Sequence, residues 1–164
     1  MKYIAYGSNM SRGQMKHRCP DARLIGTGWV EDMQLVFKGR MSGNAHATLV
    51  PAPRGKGPKR HRVPVAVWEL SNRDETSLDS YEGFPHYYRK EQCPVTLSNG
   101  RAINGMVYLM NGGQLGMPSR SYYFGIRDAY IDLGLEEHVN PILGLALAAS
   151  MVWCPDEWKA GAYR

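Results

Sequence analysis

The sequence predicts an α+β fold built on a mixed, strongly curved sheet. Hairpin-like spacing dominates over regular strand–helix alternation. Two long strand-like runs, 87–97 and 101–110, flank Asn99-Gly100, the dipeptide favoured in a type I′ hairpin. Helix start and stop signals interrupt the strands rather than alternating with them. With 164 residues, 43% apolar and 21% charged, the chain suits one globular domain with a substantial core.

Taken in order, residues 3–6 form a short apolar strand that breaks into Gly7-Ser8-Asn9. Ser11-Arg12-Gly13-Gln14 reads as a capping box opening a helix toward Arg18, and Cys19-Pro20 ends it. Residues 23–26 and 34–37 read as strands separated by a turn, and 45–50 as another strand. Residues 63–70 carry apolar side chains in both registers, so this strand is expected to be buried on two faces. Ser71 is the expected N-cap of the next helix, with Asp74 at its third position, Leu78 and Tyr81 sharing a buried face, and Gly83 closing it before Pro85. After the hairpin, Asn111-Gly112-Gly113 ends the second strand. Pro118-Ser119 starts a helix that Gly134 closes. Asn140 and Pro141 are the expected N-cap and first residue of a last helix.

The net charge of +5 comes from 20 basic and 15 acidic side chains. Arg54, Lys56, Lys59, Arg60 and Arg62 lie in one Gly- and Pro-punctuated stretch, and without those five the charges balance. A basic excess confined to one solvated loop, 51–64, is not the broad patch of a nucleic-acid binder. Three cysteines with no C-x-x-C pair suggest neither a disulfide framework nor a zinc site. The five histidines show no metal-ligand spacing, and Cys93 has no evident activating partner. No basic segment leads into an apolar one at the N-terminus, and the apolar stretch 142–153 is shorter than the ~18–20 residues of a membrane span. A reducing cytoplasm is expected.

Two stretches carry candidate chemistry. In residues 6–10 a strand ends in a loop of backbone N–H groups beside a helix N-terminus, an arrangement that holds carboxylates, phosphates or oxyanions, although an ordinary strand-to-helix turn uses the same residues. Glu82 falls in the last turn of its helix, where a carboxylate meets the negative end of the dipole at a cost of roughly 0.3–1 kcal/mol. On an exposed surface that is harmless. In an apolar site it raises the carboxyl pKa toward neutrality, which suits a general acid/base.

Together these stretches resemble the gamma-glutamylcyclotransferase-like family. Tyr6-Gly7-Ser8-Asn9-Met10, Arg18-Cys19-Pro20, Leu78-Asp79-Ser80-Tyr81-Glu82-Gly83, Tyr88-Arg89 and Pro118-Ser119-Arg120-Ser121-Tyr122 occur in the family's order. The resemblance runs from residue 3 to about Gly134. It implies a small β-barrel with surrounding helices, and a reaction that releases 5-oxoproline and an amine from a small γ-glutamyl compound with no metal or cofactor. By the same resemblance Tyr6, Gly7, Ser8, Asn9 and Met10 cradle the γ-glutamyl group, Glu82 is the catalytic carboxylate, and Tyr88 and Tyr122 line the pocket. Tyr87 offers an alternative alignment to Tyr88.

The chemistry fits those residue types. The substrate's α-amine attacks its own γ-carbonyl, so the nucleophile is tethered, and good intramolecular geometries reach effective molarities of roughly 10⁵–10⁸ M. One carboxylate within reach of both nitrogens answers the proton transfers: Glu82 accepts the amine proton and returns it to the leaving nitrogen. The loop N–H groups suit either the α-carboxylate or the developing oxyanion. A binding or regulatory module that holds a small carboxylate on the same fold remains the alternative. The segment 135–164 matches no motif of the resemblance and reads as a helical extension, open to covering the barrel, roofing the pocket or forming a homodimer.

Overall fold

The computed structural model describes residues 1–39, 44–53 and 61–153, without the side chain of Trp153. Five strands close a barrel: β1 (Lys2–Ala5), β2 (Arg23–Glu31), β5 (Arg62–Glu69), β6 (Tyr88–Leu97) and β7 (Ala102–Met110), in the order β1-β5-β2-β6-β7. The seam is parallel, Tyr3 of β1 facing Met106 of β7, while the other pairings are antiparallel. A three-stranded sheet of β4 (His46–Pro51), β3 (Met33–Gly39) and β8 (Gln114–Leu115) packs outside it, ordered β4-β3-β8. Among the described residues four α-helices accompany the strands: α1 (Arg12–Arg18), α2 (Asn72–Glu82), α3 (Arg120–Asp132) and α4 (Leu145–Trp153). The mixed, curved sheet and the barrel are as expected.

β5 sits between β1 and β2, and its six central residues are all buried. One face fills the barrel while β3 and the turn after β1 cover the other, which explains its two apolar registers. In α3 the buried Tyr123, Ile126, Ala129 and Tyr130 recur at helical spacing and face the core. α2 has the full capping box: Ser71 Oγ accepts from the Asp74 N–H at 3.1 Å and Asp74 Oδ2 accepts from the Ser71 N–H at 3.1 Å. Its end is equally defined, with Gly83 in the left-handed region (φ 65°) and the Phe84 N–H returning to Asp79 O at 2.9 Å.

Several local expectations need correction. The first strand after α1 does not stop at Gly26; β2 continues to Glu31 through a bulge between Leu24 and Gly26. Gly28 is there for close approach rather than for a turn, since a Cβ would lie 2.7 Å from Thr96 O. The 97–101 connection is a three-residue loop, not a two-residue type I′ turn. Its Leu97 N–H bonds Arg101 O, its Gly100 N–H bonds Leu97 O, and positive φ occurs at Gly100 (82°) but not at Asn99. The box at α1 is half made: Ser11 Oγ accepts from the Gln14 N–H at 3.3 Å, but Gln14 Oε1 is buried and meets no partner among the described residues. Tyr81 shares no buried face with Leu78, being 51% exposed where Leu78 is fully buried. Asn140 caps nothing, because a 3₁₀ turn (Glu136–His138) and a π-helical turn (Val139–Gly144) already carry the chain through Pro141 into α4. Of the basic loop, Arg54, Lys56, Lys59 and Arg60 lie outside the described residues, as do residues 154–164. The described Arg62 stacks over the Trp29 ring at 4.1 Å.

Candidate active site

At one end of the barrel a cavity of about 230 Å³ opens between elements distant in sequence. β1 delivers Tyr3, and the residues after it deliver Tyr6, Gly7, Ser8 and Asn9. The end of α2 supplies Tyr81 and Glu82, β4 His46 and Ala47, β6 Tyr88, β7 Tyr108, and α3 Tyr122. Of the residues named from sequence, Tyr6, Gly7, Ser8, Asn9, Glu82, Tyr88 and Tyr122 meet here. Met10 does not: it is fully buried in the core behind the loop.

The loop after β1 folds into a 3₁₀ turn, Ser8–Met10. This spends the Met10 N–H on Gly7 O (2.9 Å), whereas among the described residues the amides of Gly7, Ser8 and Asn9 meet no protein acceptor. Three adjacent donors at a cavity wall form a site for an oxyanion or carboxylate. Gly7 allows the packing around them: a Cβ would lie 3.2 Å from the Tyr122 hydroxyl and 3.3 Å from Ala47 Cβ.

Asn9 is the hub. Its carbonyl accepts from the Trp68 indole N–H (3.0 Å), tying the loop to β5. Its side-chain Nδ2 donates to the Tyr3 hydroxyl (2.8 Å) and to Glu82 Oε1 (2.9 Å), while its Oδ1 accepts from the Arg18 guanidinium. Glu82 Oε2 meets no donor among the described residues. Glu82 is half-buried, and burial pushes its carboxyl up to about 7, partly opposed by the Arg18 charge and the Asn9 hydrogen bond. The last-turn position that looked costly in the sequence is thus also a desolvated one.

The tyrosines around the carboxyl are held by their hydroxyls. Tyr6 donates to Tyr108 O at 2.5 Å, Tyr88 to Ala47 O at 3.4 Å, and Tyr108 to Asp79 Oδ1 at 2.6 Å. The Tyr122 hydroxyl accepts the Ala47 N–H at 3.1 Å, and its ring lies edge-on to His46 with centroids 4.9 Å apart. Burial, reinforced by the Glu82 charge, drives Tyr3, Tyr6, Tyr88, Tyr108 and Tyr122 above their ordinary value, so the wall stays neutral. Burial lowers the pKa of His46. Behind the wall, Lys90 bridges Glu75 (2.6 Å) and Asp79 (2.7 Å).

A family model described as Gamma-glutamyl cyclotransferase, AIG2-like matches residues 3–124. The chain belongs to this family. It is 28% identical to the gamma-glutamylcyclotransferase of Mus musculus over 124 residues, 73% of this chain and 64% of that protein. The Homo sapiens protein of the same name is 27% identical with the same coverage, so the matched part spans just under two-thirds of these relatives' length. A solved structure described as a gamma-glutamyl cyclotransferase superposes with a TM-score of 0.74 at 24% identity, covering 86% of each chain, a likeness of fold. A crystal structure of an uncharacterized Homo sapiens protein gives the same TM-score at 25% identity, again over 86% of each chain. The expected family and barrel fold therefore hold.

Sequence reasoning passed over Tyr3, His46, Ala47, Tyr81, Tyr108 and the anchoring role of Arg18. Arg18 and Tyr81 stood inside motif stretches, and their positions were the available signal. Tyr3 and Tyr108 had none, because only closure of the barrel sets β7 beside β1.

Proposed function

We propose that this member of the family is an enzyme that releases 5-oxoproline and an amine from a small γ-glutamyl compound. The observation that carries the reading is Glu82, a desolvated carboxyl titrating near 7 at the wall of a cavity whose facing loop presents three amides without protein acceptors. The cavity is smaller than the ~300–1,000 Å³ typical of drug-sized sites, which suits a γ-glutamyl unit whose leaving group extends outward past Tyr81.

The substrate's α-ammonium, with a pKa near ~8, is close to matched with Glu82. Glu82 takes one proton from it. The freed amine adds to the γ-carbonyl carbon, closing the five-membered ring, and negative charge develops on the carbonyl oxygen. The N–H groups of Gly7, Ser8 and Asn9 suit that charge; one such donor is typically worth about 10²–10³ in rate. Glu82 then gives its proton to the leaving nitrogen as the C–N bond breaks, takes the second proton from the ring nitrogen so that the lactam leaves neutral, and passes it to the released amine, which departs as an ammonium with the carboxylate restored. The tyrosine wall excludes water, which favours lactam closure over hydrolysis.

The test is 5-oxoproline release by the purified protein from a panel of γ-glutamyl amino acids, amines and dipeptides, beside Glu82→Gln. Release by the wild type and not by the variant supports the reading. No release from any member by a folded protein overturns it in favour of a small-carboxylate-binding module.

A further inference from the structure

We propose that Arg18 is a positioning residue that fixes the carboxamide of Asn9 with its nitrogen toward Glu82. This rests on the functional reading above and extends it to a side chain that does not line the cavity. Arg18 ends α1, and its Nη1 reaches both Ser8 Oγ (3.2 Å) and Asn9 Oδ1. A guanidinium only donates, so the atom of Asn9 that faces it must be the carbonyl oxygen. The amide nitrogen is thereby turned to Tyr3 and Glu82. Were the amide reversed, Oδ1 would face Glu82 Oε1, two acceptors in contact, and the carboxyl would relieve the clash by holding its proton. A protonated Glu82 cannot accept the ammonium proton of the substrate.

The guanidinium is itself held. Its Cζ lies 3.8 Å from the centroid of the Tyr81 ring, one residue before Glu82, a cation–π contact that presses the fork against the loop. The bond to Ser8 has a second consequence. Because Ser8 Oγ accepts from Arg18, its own hydroxyl proton stays available as a donor at the cavity that Ser8 lines.

The other groups that face Glu82 do not substitute for Arg18. Tyr3 on β1, Tyr6 after it, Tyr88 on β6, Tyr108 on β7 and Tyr122 on α3 are neutral, as their raised pKa values require, and burial favours the neutral form of His46 on β4. Asp79, one turn back on α2, is paired with Lys90 and accepts from the Tyr108 hydroxyl. Among the described residues Arg18 is the charge that Glu82 feels, and Asn9 is the donor it meets.

The experiment is a carboxyl-carbon NMR titration of Glu82 in the full chain, assigned with Glu82→Gln, for the wild type, Arg18→Met, Arg18→Lys, Asn9→Ala and the Asn9→Ala/Arg18→Met double variant. Arg18→Met is expected to raise the midpoint by about one pH unit, a tenfold change in proton affinity, and Arg18→Lys to recover at least half of that shift. In the Asn9→Ala background, Arg18→Met is expected to move the midpoint less, because the amide it orients is gone and only the direct effect of its charge remains. An unmoved midpoint in Arg18→Met, or an equal shift in both backgrounds, overturns the proposal. If Arg18→Met loses its cooperative melt, Arg18→Ala in the two Asn9 backgrounds supplies the same comparison, read the same way. The rising limb of kcat/KM is expected to follow the titration. Should 5-oxoproline release be absent, the functional reading falls while the titration still decides the role of Arg18.

Discussion

Replacing Glu82 by Gln is expected to stabilise the protein in a pH-dependent way while removing turnover. Gln keeps an oxygen to accept the Asn9 amide bond and mimics the protonated acid. The folded carboxyl titrates at about 7 against an ordinary value of 4.5. A folded pKa above the unfolded one means that the native state binds more protons between about 4.5 and 7, so wild-type stability falls as pH rises through that window. At about 1.36 kcal/mol per unit, the full cost above the window is on the order of 3 kcal/mol. A neutral amide escapes it. Glu82→Gln is therefore expected to melt with the wild type at pH 4.5, and roughly 6–12 °C above it at pH 8, using about 2–4 °C per kcal/mol for a chain of this size. Thermal melts by circular dichroism at the two pH values read this directly, and 5-oxoproline release at pH 8 is expected to fall by about 10²–10⁴. A melting difference that is the same at both pH values would refute the argument that Glu82 is desolvated, and with it the reason for its choice as acid/base.

The kcat/KM of the wild type is expected to rise with pH along a limb centred near 7, since the free enzyme must present Glu82 ionised; a limb centred at 4–5 would contradict the carboxyl's environment. Tyr122→Phe leaves the buried Ala47 N–H without its acceptor and is expected to cost about 1–3 kcal/mol in urea unfolding. Ser71→Ala removes one half of the α2 capping box and is expected to cost about 1 kcal/mol with kcat unchanged, a contrast between support and chemistry on the same helix. Gly28→Ala drives a Cβ to 2.7 Å from Thr96 O and is expected to destabilise the barrel by about 1–3 kcal/mol, measured by thermal melt.

What the sequence made legible was local or came through the family resemblance. The capping box at Ser71 and Asp74, the closing Gly83 and the two-faced burial of 63–68 are encoded within a few residues, and each stands in the structure. The misreadings came where a distant partner decides. Gly26 and Gly28 look like turn punctuation, yet Gly28 is required by β6 pressing against it, and no neighbour in sequence announces that. Tyr81 has the spacing of a core residue, but Arg18 and the cavity hold it at the surface. Met10 belongs to the same short motif as Asn9, yet a 3₁₀ turn sends their side chains to opposite sides of the loop, one to the core and one to Glu82. The cavity's floor and far wall, Tyr3 and Tyr108, exist only once strands at the two ends of the barrel order become neighbours.

The parallel seam between β1 and β7 joins residue 3 to residue 106, the longest reach in the barrel, and it sets Tyr108 beside Tyr3 in the cavity wall. A chain whose helices are capped and whose hairpin is formed still lacks one wall of the cavity until that contact is made, because Tyr108 on β7 meets Tyr3 through the pairing that carries the largest loop-closure entropy. Recovered turnover during refolding is then a reporter of ring closure. It is expected to lag the return of helical signal, with the interval between the two measuring how long the barrel stays open.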